Sequence, residues 1–405
     1  MQALYNIGIL FFGLSIRIAS FFNPKAKYWI QGRKDLFENL PNVTGENVVW
    51  FHCASLGEFD QGIPLMKKLI NQDPSIFLLV TFFSPSGMKF YHKREKIANL
   101  VTYLPLDTSK NAKRFIKHFK PKQVFFVKYE FWGNHILEAK KNGAEIYNVS
   151  GVFRENHRFF KWYGGYFRHI LSQFNWFFVQ NKQSVELLKS IGVNNVSISG
   201  DSRFDRVIEN KELVTENKII SQFQNGEDMI VIGSSWPEDE EVLLPWIINQ
   251  NNKVLIAPHN IDENHIQQIT TKIPNAIRYT SADKEDLVNT SILVLDTIGQ
   301  LANAYSYGKI AYIGGGFSGS LHNILEPAVF GLPVIFGPKH SRFPEGQMFI
   351  DNGFGFSISS TEEFSKAYDL INSNYDSISQ KEISFVNDNA GATDRILTHI
   401  NSICN

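Results

Sequence analysis

The sequence predicts an α/β chain built as two Rossmann-like domains. Three observations carry this. Short apolar runs alternate with helical patterns, the runs fall into two series separated by the polar stretch 211–228, and 405 residues suit about two to three domains. The first series is Val48 to Ala54, Ile76 to Phe83, Val101 to Pro105, Gln123 to Tyr129, Ala144 to Val149, Trp176 to Gln180 and Val196 to Ser199. These runs are β-branched or aromatic and nearly continuously apolar, as strands covered by helices on both faces should be. The second series is Met229 to Gly233, Lys253 to Ala257, Ile292 to Leu295, Ile310 to Gly314 and Pro333 to Phe336. The expected organisation is a membrane-associated helix (1–22), a first domain (23–210), a linker (211–228) and a second domain (229–385). A C-terminal helix (386–405) is expected to pack back towards the first domain. Open parallel sheets bind ligands beyond the carboxyl ends of their strands, so two facing domains should share a cleft.

Composition narrows the function. Hydrophobic residues are 43% and charged residues 20%, which excludes a wholly disordered, collagenous or polytopic membrane chain. Forty basic residues balance 40 acidic ones, against the net positive footprint of a nucleic-acid binder, so no nucleic-acid partner is expected. Cys53 and Cys404 have neither CxxC nor framework spacing, which suits a reducing compartment. The zero is not uniform, however. Residues 1–34 contain Arg17, Lys25, Lys27, Arg33 and Lys34 and no acid, leaving 35 basic against 40 acidic residues beyond. Ala3 to Ile16 is almost wholly apolar but shorter than the roughly 18–20 residues of a span. On a helical wheel Asn6, Gly13, Arg17 and Ser20 share a face, as in a helix lying in a membrane interface; a short span with a snorkelling Arg17, or a buried first helix, are the alternatives.

Four constellations follow strand ends. In Ser55-Leu56-Gly57-Glu58 a small turn feeds a helix and sets Glu58 at the crevice, as a proton acceptor for an attacking hydroxyl or merely as a helix cap. In Tyr129-Glu130-Phe131-Trp132 a second carboxylate arrives at the same edge, where a structural pairing with Lys128 or Arg154 is the alternative. Ser150 to Arg154 and Gly200 to Asp205 deliver Arg154 and Arg203, planar donors suited to carboxylate or phosphate. Arg158, Lys161 and Arg168, interleaved with aromatics, suit a phosphorylated lipid headgroup or a solvated amphipathic helix. Finally Gly314 to Pro327 reads as a strand, a Gly-rich loop and a helix whose N-terminus at Ser320 to Asn323 would face an anion. It matches neither the dinucleotide nor the Walker register. Asp239-Glu240-Glu241 reads as a solvated helix start, and no metal-ligand set stands out, so metal-independent chemistry without a cofactor is expected.

The motifs SLGE (55–58), YEFW (129–132), SGDSRFD (199–205), GSSWPEDE (233–240) and GGGFSGSLHNILEP (314–327) resemble those of the bacterial 3-deoxy-D-manno-octulosonic acid (Kdo) transferases of lipopolysaccharide synthesis. The resemblance implies the GT-B architecture and an inverting transfer of Kdo from CMP-Kdo to a lipid A precursor, on the cytoplasmic face of the inner membrane, by a monomer. It makes Glu58 the general base and Glu130 and Arg203 the supports of the transition state, Arg203 standing where many members have Lys. It places CMP on Ser234, Ser235, Pro258, His259, Ile298, Gly299, Gln300, Asn323, Ile324, Leu325 and Glu326. The acceptor falls on Ser55, Gly57, Arg154, Arg158 and Lys161. Trp236 stands where many members have His.

Overall fold

The computed structural model describes all residues except 44, 93, 285 and 405, and the side chains of 283, 284, 403 and 404. It divides into two compact units, residues Met1–Arg206 with Ala390–Asn405, and Val207–Asn389. The first holds seven strands: β1 (Asn47–Cys53), β2 (Ile76–Phe82), β3 (Leu100–Tyr103), β4 (Gln123–Val127), β5 (Glu145–Gly151), β6 (Trp176–Val179) and β7 (Val196–Ile198). The second holds β8 (Met229–Ser235), β9 (Lys253–Pro258), β10 (Ile277–Arg278), β11 (Ile292–Val294), β12 (Ile310–Ile313), β13 (Val334–Phe336) and β14 (Gly355–Ser357). All pairings are parallel, in the orders β3-β2-β1-β4-β5-β6-β7 and β10-β11-β9-β8-β12-β13-β14. The order in which successive strands are added therefore reverses between β1 and β4 in one sheet and between β8 and β12 in the other. At such switch points the loops leave to opposite faces and open a crevice at the carboxyl edge.

Twelve of these strands coincide with the apolar runs of the sequence. β10 and β14, of two and three residues, are too short to leave a periodic signal. The stretch expected as a linker differs more. Residues Lys218–Gln224 form a helix that buries Ile220 and Phe223 completely, because its two large apolar side chains complete the second unit's core. At the other end, helix Ala392–Cys404 packs Ile396, Leu397 and Ile400 into the first unit. Asp205 anchors it by accepting from the backbone N–H groups of Gly391, Ala392 and Thr393, the orphan donors of that helix start.

The first helix, Gln2–Ala19, is long and apolar enough to cross a membrane, yet it lies docked on the first unit. Tyr5 donates to Asp107 at 2.5 Å, Asn134 Nδ2 donates to Asn6 at 2.9 Å, and Gly13 permits contact with Leu106 that a Cβ would block at 2.6 Å. Asp107 also accepts from the N–H groups of Asn134 and His135, so the same carboxylate caps helix Gly133–Lys141. The opposite face exposes Leu4, Ile7, Leu10, Phe11, Leu14 and Ile18, continuing to Phe21 and Phe22. A buried first helix is thus not what forms. One of the five cations is also not at the surface: Arg33 stacks 3.7 Å over Trp29 and donates to the carbonyls of Phe83 and Leu104. Burial lowers its guanidinium to about 9.

Glu382, on helix Tyr375–Asn389, is completely buried and neither carboxylate oxygen has a hydrogen-bond partner. Desolvation pushes its pKa well above the ordinary value. A group raised in the folded state contributes its stability at acidic pH and loses it as pH rises through the folded pKa. Glu382→Met is therefore expected to raise the melting temperature by about 2–4 °C per kcal/mol regained, with a gain that grows from pH 5 to pH 8 in a thermal-unfolding series.

Candidate active site

In the first unit the site is built at the switch point by the turns that follow β1 and β4. Cys53 ends β1, and Ser55 begins helix Leu56–Gln72 as its N-cap with Glu58 at the third helical position. The Glu58 carboxylate reaches back to the N–H groups of Ala54 and Ser55, at 3.2 Å for the latter. The capping alternative is thus realised, and it does not remove the carboxyl from chemistry. Burial first, then the charge of Glu130, raise Glu58 to about 7, against the opposing pull of Lys128 and the two backbone donors. Gly57 is exposed, and a Cβ there would meet nothing within 4 Å, so the helix start is open to a ligand.

Glu130 faces His52 and Trp132. Its Oε2 lies 3.3 Å from His52 Nε2 and 3.3 Å from Trp132 Nε1. His52 is 1% exposed and is held from behind: Trp50 Nε1, which can only donate, bonds Thr81 Oγ1 at 2.8 Å, and Thr81 Oγ1 lies 2.9 Å from His52 Nδ1. His52 Nε2 also lies 3.2 Å from the Trp132 Nε1–H, so the tautomer of His52 decides whether Nε2 donates to Glu130 or accepts from Trp132. Burial pushes the His52 pKa down, keeping the ring neutral. A lone polar residue inside an apolar strand was the signal for His52, and the sequence reading passed over it.

Arg203 starts helix Ser202–Glu212 and is tied to Asp201 by Nε at 2.8 Å and Nη2 at 2.7 Å. Ser150 and Ser202 join by their hydroxyls at 2.7 Å, linking the ends of β5 and β7. Lys128 and Ser150 adopt left-handed backbone (φ 64° and 53°), an unfavourable state for non-glycine residues that the surrounding structure must enforce. Asn148 braces it by donating to the carbonyls of Phe126 and Lys128. Arg154 is exposed, Arg158 rests 4.8 Å from the Phe167 ring centre, and Arg168 holds the turn through the carbonyls of Phe159 and Lys161.

In the second unit the loops after β8, β9 and β12 meet. Trp236 stacks on His259 (4.3 Å, 17°) and donates to His322 Nε2 at 3.2 Å, while the two imidazoles lie 4.7 Å apart. Burial lowers both histidines, His322 to about 4, so the cluster is a neutral aromatic surface. Around it the expectations need correction. Asp239 and Glu240 are not solvated: Asp239 accepts from the N–H groups of Trp236 and Gly315 and from Tyr312, and Glu240 from Ser235, with His265 2.9 Å away. Ser235 is accordingly buried, as are the side chains of Pro258, Ile324 and Leu325. The helix expected to start at Ser320 to Asn323 is only Leu325–Ala328. Gly314, Gly315 and Gly316 are required because Cβ atoms would strike backbone at 2.1–2.4 Å, and the N–H groups of Gly314, Gly315, Ser320 and His322 are bonded internally. What remains outward is Asn323, bonded to Glu326 at 3.2 Å, the exposed turn of Ile298 and Gly299, and Gln300, which accepts from Asn217. Ser234 is half-buried in left-handed backbone (φ 54°). Lys339, unnoticed in the sequence, flanks Gly319. Among the described residues, no group of three or more His, Cys, Asp or Glu side chains is placed to hold a metal ion.

Comparison with known proteins places this geometry. A family model described as 3-deoxy-D-manno-octulosonic-acid transferase (kdotransferase) matches residues 30–206. The 3-deoxy-D-manno-octulosonic acid transferase of Chlamydophila psittaci (strain ATCC VR-125 / 6BC) is 30% identical over 337 residues, covering 79% of this chain and 77% of the relative. That of Rickettsia bellii (strain RML369-C) is 27% identical over 305 residues, covering 73% and 72%. Among solved structures, the UDP-GlcNAc 2-epimerase of Neisseria meningitidis shares the fold, with a TM-score of 0.61 at 13% identity over 88% of this chain and 99% of that one. The chain therefore belongs to the Kdo transferases, glycosyltransferases of the GT-B fold.

Proposed function

We propose that this protein transfers Kdo from CMP-Kdo to a hydroxyl of a lipid A precursor, with inversion, at the cytoplasmic face of the inner membrane. The observation that carries the reading is Glu58: a half-buried carboxyl at the first sheet's switch point, beside an open helix start, raised to about 7 by burial and by Glu130. A base that exchanges its proton near neutral pH is suited to accept one from the acceptor hydroxyl as the new bond forms. Glu130, fixed by His52 and Trp132, and the guanidinium of Arg203 act on the charge that develops at the sugar's anomeric carbon and its carboxylate. In the second unit the neutral surface of Trp236, His259 and His322 suits a nucleobase or sugar face. Asn323 and Glu326 suit ribose hydroxyls, and Lys339 lies where it can oppose a phosphate monoester.

The docked first helix supports the membrane reading. Its polar face is engaged by Asp107 and Asn134, so its apolar face is the one offered to lipid, with Arg17, Lys25, Lys27 and Lys34 exposed for an anionic leaflet.

Four outcomes test the proposal. Glu58→Gln is expected to lower kcat for CMP release by about 10²–10⁴-fold while calorimetry shows unchanged CMP affinity; full activity would remove Glu58 from the chemistry. In the unsubstituted protein kcat/KM should climb with pH and level off above about 7, as Glu58 loses its proton. Glu130→Gln removes one of the two influences that raise Glu58, so its profile should be displaced to lower pH. For the membrane, Phe11 and Phe22 are 66% and 86% exposed, and replacing both with Asp should cut co-sedimentation with phosphatidylglycerol vesicles at least tenfold. Unchanged sedimentation would assign membrane binding elsewhere.

A further inference from the structure

Helix Gln2–Ala19 and the segments after β4 and β5 enclose a cavity of about 620 Å³ within the first unit. Its wall is formed from Leu4, Ile9 and Phe12 on one side and from Phe131, Phe159 and Phe167 on the other. Only two charged side chains reach it, Glu130 and Arg158. Gly8 completes the helix side of the wall, and a Cβ built on it meets nothing within 4 Å.

We propose that this cavity takes one acyl chain of the acceptor, an assignment that rests on the lipid reading above. The volume lies within the range of small-ligand pockets, and the lining is predominantly apolar and aromatic, its polar side-chain groups being Glu130, Arg158, the Trp132 indole and the hydroxyls of Tyr5, Tyr129, Tyr163 and Tyr166. Its two charges stand where a glycolipid needs them. Glu130 belongs both to the cavity wall and to the His52–Trp132 hydrogen-bond set, so a chain seated here brings its headgroup to the carboxylates. Arg158 lies at the wall against Phe167, and Arg154 and Lys161 occupy the same segment, which suits the phosphate of a glycolipid headgroup. The cavity is also continuous with the outer surface that the helix offers to a bilayer. Leu4 lines the cavity and is 69% exposed, and Ile7 and Phe11 follow it on the exposed face. A chain leaving the membrane therefore remains on apolar surface throughout. That continuity selects an acyl chain over a soluble apolar metabolite.

Gly8→Phe adds a ring at the helix side of the cavity, where a Cβ meets open space, and phenylalanine is a better helix former than glycine. The full-length protein would be assayed with CMP-Kdo and two acceptors, a tetra-acylated glucosamine disaccharide phosphate and its fully deacylated counterpart. In Gly8→Phe the ratio of kcat/KM for the acylated over the deacylated acceptor is expected to fall at least tenfold, while Gly8→Ala keeps the ratio. An unchanged ratio, including an equal loss on both acceptors, overturns the assignment. If the unsubstituted protein transfers to neither acceptor, the functional reading fails separately, and the cavity is then read with a fluorescent fatty acid. Binding that is lost in Gly8→Phe supports the acyl site, and binding that is equal in both proteins, or absent, overturns it.

Discussion

The arrangement depends on two carboxylates brought to one crevice and kept from neutralising one another's purpose. Glu58 is drawn into the start of its own helix, where two backbone N–H groups favour its charge, while burial and the neighbouring Glu130 disfavour it. Burial and Glu130 outweigh Lys128 and the backbone donors, which leaves the carboxyl near 7 rather than in the ordinary carboxylate range. Glu130 can impose this only because the core holds it. The line Trp50, Thr81, His52 runs through the interior of β1 and β2 and ends on its Oε2. The fold's contribution to chemistry is therefore more than placing two loops at a sheet edge: it extends a hydrogen-bonded strut from the packed interior to a half-exposed charge.

The second unit uses buried acid differently. Asp239 and Glu240 turn inward and tie the loops to one another. Asp239 joins the turn after β8 to the Gly-rich loop after β12 through Trp236, Gly315 and Tyr312. Glu240 ties Ser235 to His265. With the loops so fixed, Trp236, His259 and His322 come together as one neutral surface. Trp236 sets its ring against His259 and its indole N–H towards His322.

The strands and their order of burial were legible because both faces of a parallel sheet are covered, and continuous apolar runs cannot be mistaken for amphipathic ones. The strand-end motifs were legible for the same reason, since a polar, Gly-containing turn after such a run can only lie at the sheet edge. Residues whose partner is distant in sequence escaped. His52 and Thr81 are 29 residues apart, Asp107 and Tyr5 are 102 apart, and Asp239 and Gly315 are 76 apart. Local pattern made Asp239 and Glu240 a solvated helix start, and made 211–228 a linker, because charge near an element's end is ordinarily exposed. Likewise Arg33 counted among the surface cations until Trp29, Phe83 and Leu104 were seen to enclose it.

The proposed reaction is a transfer of Kdo from CMP-Kdo to a lipid-borne sugar hydroxyl. Mass spectrometry of the products formed by the purified protein from CMP-Kdo and a purified lipid A precursor tests it most directly. The account predicts a lipid heavier by one or more Kdo residues with an equal number of CMP molecules released. An unchanged lipid mass, or turnover of a UDP-sugar without CMP release, would contradict it.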